Sequence, residues 1–154
     1  MQLFQQACTK NNESANYAYR LELEFTPAKD KNPTRLEGCG FFVPDPQLHG
    51  SFQIVEVHGN PVNNNNAVIN IDAYSQKING NNTCNQINGS FIFGFESLHF
   101  GKVQTTLMAC QDAPYESLVN EVFSKGRVGY EFTNLLVFLD GDKKIMVLKP
   151  LNDR

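Results

Sequence analysis

Thr83-Cys84-Asn85-Gln86-Ile87-Asn88-Gly89-Ser90-Phe91 sets a cysteine in a Gly/Asn-rich turn and then enters a strand. Thr105-Thr106-Leu107-Met108-Ala109-Cys110 brings a second cysteine just ahead of the chain's one clear helical pattern. Between the two segments, Phe91 and Phe93, then Leu98 and Phe100, flank Gly94 as a strand pair. In the helix that follows, Tyr115, Leu118, Val119, Val122 and Phe123 form one apolar stripe. Asp112 and Pro114 mark its start, and Lys125-Gly126 its stop. So short a helix cannot bury its stripe alone and must pack on a sheet.

Outward from this centre the pattern is β. Residues up to about Asn16 read as a loose polar arm, and Tyr19 to Phe25 as a half-buried alternating strand. Thr34 to Val43 reads as a second strand, interrupted at Gly38-Cys39-Gly40 by a bulge or close backbone approach. Pro44-Asp45-Pro46 punctuates the chain. Ser51 to His58 is a strand whose apolar phase changes at Val55 and Val57, and Gly59 to Asn66 is a turn with four consecutive asparagines. Ala67 to Tyr74 follows as a strand, and Asn79-Gly80 is a hairpin turn signal. Val128 to Phe132, Leu135 to Leu139 and Ile145 to Leu148 close the chain, with Asp140-Gly141 turning the last hairpin. The expected fold is α+β, mainly antiparallel β: a bent sheet or incomplete β-barrel with one amphipathic helix packed on it. An N-terminal extension with two strands (1–47) precedes the main domain (48–154).

At 154 residues, 41% apolar and 19% charged, the chain is long and apolar enough for one core. Net charge is −3 and no basic stripe is present, which disfavours nucleic acid. No apolar run is long enough to span a bilayer as a helix. The opening residues show no charged region followed by an apolar core, so an exported protein is expected to be seen here in processed form. Cys8, Cys39, Cys84 and Cys110 are widely spaced without a C-x-x-C pair, which favours one or two structural disulfides. Four buried thiols, or a lipid anchor at Cys8, are the alternatives.

From about His49 to Leu151, some two thirds of the chain, the order and spacing of motifs resemble the META (HslJ-like) domain family. Gly50-Ser51-Phe52-Gln53-Ile54 stands where the family has Gly-x-Trp-x-Leu, and Gly59 to Val62 is similar to its Gly-x-x-Val turn. Gly80 to Phe91 resembles Gly-x-x-Gly-Cys-Asn-x-Phe-x-Gly-x-Tyr, with Thr83 for Gly, Ile87 for Phe and Phe91 for Tyr. Thr105 to Cys110 is similar to Ser-Thr-x-Met-Ala-Cys, and Glu116 takes the place of the acidic residue opening the helix. The resemblance marks Asn85, Gly89, Thr106, Met108 and Glu116 as motif residues. It implies a Cys84–Cys110 disulfide; outside the resemblance, Cys8 with Cys39 is the expected companion pair. It also implies a heat-shock or envelope-stress setting in the periplasm or outer membrane, and in some members a lipoprotein. Residues Arg35 to His49 look like the connector ahead of this module in some envelope proteins.

The residue types offer little chemistry. Asn85 and Asn88 could bind a ligand, but Asn and Gly beside Cys84 are first of all turn formers. His49, His58 and His99 lack metal-ligand spacing, and no nucleophile-elbow pattern occurs. Glu116 and Glu121 fall on different helix faces and read as solvated charges. Phe41, Phe42, Phe91, Phe93, Phe95 and Phe100 either line a ligand cavity or fill a small barrel. The expectation is a non-enzymatic envelope protein without cofactor or metal, acting by protein–protein contact in stress tolerance. The alternative is a carrier or sensor of a small apolar ligand or lipid within the barrel.

Overall fold

The computed structural model describes residues 2–4, 6–9, 16–17, 19–28, 32–40, 42–110 and 113–151. The chain forms two compact units, residues 1–43 and 44–154. In the first, β1 (Gln2–Phe4), β4 (Tyr19–Phe25) and β5 (Thr34–Gly40) make a three-stranded antiparallel sheet, while β2 (Cys8–Thr9) pairs with β3 (Asn16–Tyr17). The expected loose arm is therefore partly wrong: β1 satisfies its backbone on the edge of β4, and Cys8 is bonded to Cys39, with Cα atoms 5.5 Å apart. Nor is β5 interrupted at its glycines. Gly38 and Gly40 pair in unbroken register with Leu21 and Tyr19. Phe42 stands edge-on to Tyr19, whereas Phe41 lies outside the described residues.

The second unit begins with a 3-10 turn (Pro46–Leu48), followed by β6 (Gly50–Val57), β7 (Asn60–Pro61), β8 (Val68–Asp72), β9 (Lys77–Asn81), β10 (Gln86–Gly94), β11 (Ser97–Phe100) and β12 (Gln104–Thr105). Then come α1 (Glu116–Ser124), β13 (Arg127–Phe132), β14 (Leu136–Asp140) and β15 (Lys143–Pro150). The ladder runs β10-β11-β13-β14-β15-β6-β8-β9 and returns to β10, every pairing antiparallel. This is a closed eight-stranded barrel, and it corrects the expected bent sheet or incomplete barrel. The ring strands follow one another in chain order, and closure comes from the last, β15, pairing with the first, β6; the long β10 pairs with β9 through Gln86–Ser90 and with β11 through Phe91–Gly94. Each of the eight ring strands is paired on both sides, while the two-residue β7 and β12 pair with β6 and β10 outside the ring.

Inward-facing side chains fill the barrel: Phe52, Ile54, Ile69, Leu136, Phe138 and Leu148 are all fully buried. The phase change in β6 is a bulge, since Glu56 pairs with Val147 and Ile54 with Leu148, leaving Val55 without an opposite residue. The expected hairpin turn at Asn79-Gly80 is not one. Both residues lie inside β9; the turn before it is built by Asp72, whose carboxylate accepts from the Tyr74 and Ser75 amides, with Gln76 at φ 55°. Gly80 is needed for packing instead, because a Cβ there would run into the Val68 carbonyl oxygen. Helix α1 buries Val119, Val122 and Phe123, with Leu118 half-buried, and stops at Gly126 with φ 75°. Asp112 lies outside the described residues.

Candidate functional site

The motif residues converge on one side chain. Asn85 is 1% exposed and holds the turn before β10 against the segment that leads into α1. Its Oδ1 accepts from the Met108 backbone N–H at 2.7 Å and from the Thr106 hydroxyl at 2.8 Å. Its Nδ2 donates to Glu116 Oε1 at 2.7 Å and, at 3.3 Å each, to the Met108 carbonyl and Cys84 Sγ. Met108 thus gives its N–H and its C=O to one carboxamide, as it would to a neighbouring strand. Thr106 extends the same ladder: its backbone N–H donates to the Gln86 carbonyl, and its hydroxyl accepts from the Gln86 N–H. Glu116 is therefore not a merely solvated charge. It opens the helix, where a negative charge is favoured, and accepts a hydrogen bond from the Asn85 amide.

A second buried asparagine supports the first. Asn82, fully buried, accepts from the Cys84 and Asn85 backbone N–H groups and donates to Asn120 Oδ1 on α1 at 2.8 Å. Cys84 is bonded to Cys110, with Cα atoms 6.1 Å apart and a sequence separation of 26. A loop of that size restricts the unfolded chain by about 3 kcal/mol. Gly89 belongs to the same construction from the far side. A Cβ there would lie 2.8 Å from Val103 Cγ2, so the glycine lets the chain after β11 cross β10 closely.

Thr83 carries strain. Its φ is 92°, a region costly for a β-branched residue, and its hydroxyl is buried without a partner. The META motif has glycine at this position, which that backbone angle explains. Thr83→Gly is expected to raise stability by about 1–2 kcal/mol, read from the midpoint of a urea transition at unchanged slope. A loss of stability would place the residue outside the left-handed region.

Elsewhere the polar groups are scattered. His99 Nε2 lies 3.5 Å from the buried Ser97 hydroxyl, and burial together with Arg127 lowers the His99 pKa, favouring the neutral ring. His58 faces Glu121 at 3.7 Å, and Lys125 bridges Glu121 and Asp140. The His49 and Tyr74 rings meet at a tilt of 53°, with centroids 5.0 Å apart. Among the described residues no group of three or more His, Cys, Asp or Glu side chains is placed to hold a metal ion. Among them, too, no helix is long and apolar enough to cross a membrane. Phe91, Phe93 and Phe100 are core residues, whereas Phe95 is 73% exposed. A half-open cavity of about 400 Å³ lies between Phe100–Thr105 and α1, bordered by Phe100, Val103, Phe123, Lys102 and Asn120.

One property of the motif is invisible in sequence. Leu107, between the two residues that Asn85 grips, is 98% exposed, and Met108 is 57% exposed. The clamp fixes their backbone and sends both side chains outward.

Residues 46–151 match the sequence profile of the META domain. No curated protein matches the chain. A solved NMR structure has the same fold, with a TM-score of 0.57 at 21% identity over 71% of this chain and 95% of that one.

Proposed function

This chain belongs to the META domain family, and from that premise we propose that it is a non-enzymatic, exported protein that engages a partner protein in the bacterial envelope. The observation that carries the proposal is the exposed Leu107–Met108 pair on a doubly fixed loop. Asn85 and the Cys84–Cys110 bond hold its backbone, so docking would lose little chain entropy. Large apolar side chains held rigidly in water are a common mark of a contact site. The polar groups of the motif are consumed in holding that loop, which argues against their use as acid, base or nucleophile. Two disulfides belong to an oxidising compartment, in keeping with the periplasm or outer membrane. Stress tolerance is the role that the family resemblance favours.

A photo-crosslinking residue at position 107 in the producing cell tests this. A discrete protein adduct is expected, absent when the probe sits at the exposed Asn134 and reduced at least severalfold by Met108→Asp. The same adducts from both positions, or none, would remove the contact role. The cavity beside Phe100 and Phe123 favours a second reading, carriage of a small apolar ligand. Native mass spectrometry that finds a retained small molecule, lost from a folded Val103→Asp protein, would select it.

A further inference from the structure

The outer face of the barrel divides by chemistry. β13 and β15 present the exposed charges Arg127, Glu131, Lys144 and Lys149. Across β6, β8, β9, β10 and β12 the register instead aligns Ser51, Asn70, Asn79, Asn88 and Gln104 in one uncharged row. Cross-strand partners share a face of a sheet, so this row points outward together. It is already polarised: the Ser51 hydroxyl donates to Asn70 Oδ1 at 2.6 Å, and Asn70 Nδ2 donates to Asn79 Oδ1 at 3.0 Å. Asn79 accepts in this chain of bonds and carries its donor group onward. Asn79, Asn88 and Gln104 are exposed, and Asn81 and Gln86 form the next paired step of the same face.

A second feature lies where the row ends. An open groove of about 600 Å³ lies along the paired segments Gln86–Asn88 and Lys102–Thr106, which line it together. Its walls are fixed, because Thr106 and Gln86 exchange bonds and Gly89 lets Val103 sit close against β10. The half-buried Val103 gives the groove an apolar patch among carboxamides.

Carboxamides donate and accept at once, as sugar hydroxyls do. The groove has Lys102 as its single charged lining residue, and Asp72 and Lys77, two residues along the face from Asn70 and Asn79, stand opposite each other with offsetting charges, so the surface has little to attract phosphate or carboxylate. It also lacks the large apolar side chains that anchor peptides. Neighbouring strands repeat at about 4.8 Å, close to the length of one pyranose in an extended β-1,4-linked chain. Barrel curvature limits a straight ligand to the last few strands of the row. We propose that the Asn79–Asn88–Gln104 row and the groove beside it bind an extended, uncharged β-1,4-linked glycan. This surface adjoins the Leu107 loop at Thr106 but uses none of its exposed apolar side chains, and it stands whether or not that loop has a partner.

Cellopentaose and chitopentaose, titrated into isotopically labelled protein and followed by NMR, test the proposal. At least one should give saturable shifts centred on the amides of Asn79, Asn88 and Gln104 at millimolar concentration. The double variant Asn88→Ala/Gln104→Ala should weaken that binding by about tenfold, with the melting temperature nearly unchanged. Gln104→Glu, a single exposed change, should weaken it as well. The proposal is overturned by absence of saturable shifts with both glycans, by unchanged affinity in the variants, or by tighter binding of an anionic oligosaccharide of equal length.

Discussion

Phe123→Ala is expected to lower the unfolding free energy by about 3–5 kcal/mol, a large share of the total for a domain of this size. Phe123 is 3% exposed and meets the ring of Phe100 edge-on at 5.1 Å. Phe100 in turn contacts Phe91 and Phe138 edge-on, at 6.3 and 6.1 Å. The side chain therefore joins α1 to the barrel core, and a nine-residue helix has little stability without such packing. Truncation leaves a cavity that surrounding strands, fixed by ladders on both sides, cannot close. Chemical denaturation followed by far-UV circular dichroism measures the loss. A variant that melts within a degree or two of the parent would make the helix peripheral.

Asn85→Ala should cost a comparable about 3–5 kcal/mol, for a different reason. It adds little cavity but strips partners from the Met108 N–H and C=O, the Thr106 hydroxyl and Glu116 together. Each poorly hydrated group left without a partner costs about 1–3 kcal/mol, and groups of one network do not lose independently. Asn85→Asp separates shape from hydrogen bonding. It keeps the volume but replaces the donor with a carboxylate facing Glu116 and the Met108 carbonyl. It is expected to be destabilised at neutral pH nearly as much as the alanine variant. If Asn85→Asp matches the parent in denaturant, the amide's donor role is wrong.

Local patterns in the sequence were read well where the physics is local. The stripe from Tyr115 to Phe123 marks α1, and the alternation around Gly94 marks the β10–β11 pair, because side-chain periodicity follows directly from backbone geometry. Asp140-Gly141 does turn a hairpin, with Gly141 at φ 59°. Asn79-Gly80 has the same composition and sits inside a strand, since the Asp72 turn captures the reversal a few residues earlier. Barrel closure left no local trace. It depends on β15 finding β6, a pairing between segments about 90 residues apart in sequence.

The site shows the same division. Asn85, Thr106, Met108 and Glu116 were visible as motif residues through family resemblance, but not as one network. Glu116 read as solvated because its partner lies 31 positions away in sequence. Asn82 carried no signal of its own among so many asparagines, yet it is fully buried and bonds to the helix. The exposure of Leu107 was the least legible feature. The clamp, formed by residues distant in sequence, fixes its backbone so that the side chain faces water.

The central claim is that the motif is a clamp holding the Leu107–Met108 backbone rigid while its side chains face solvent. Hydrogen exchange at the Met108 amide tests it most directly. That N–H is bonded at 2.7 Å to Asn85 Oδ1, although the residue is 57% exposed and lies outside any helix or strand. The clamp predicts exchange slowed by several orders of magnitude, close to that of the core strands, and lost in Asn85→Ala. Exchange at the rate of an unprotected loop in the parent protein would contradict the account.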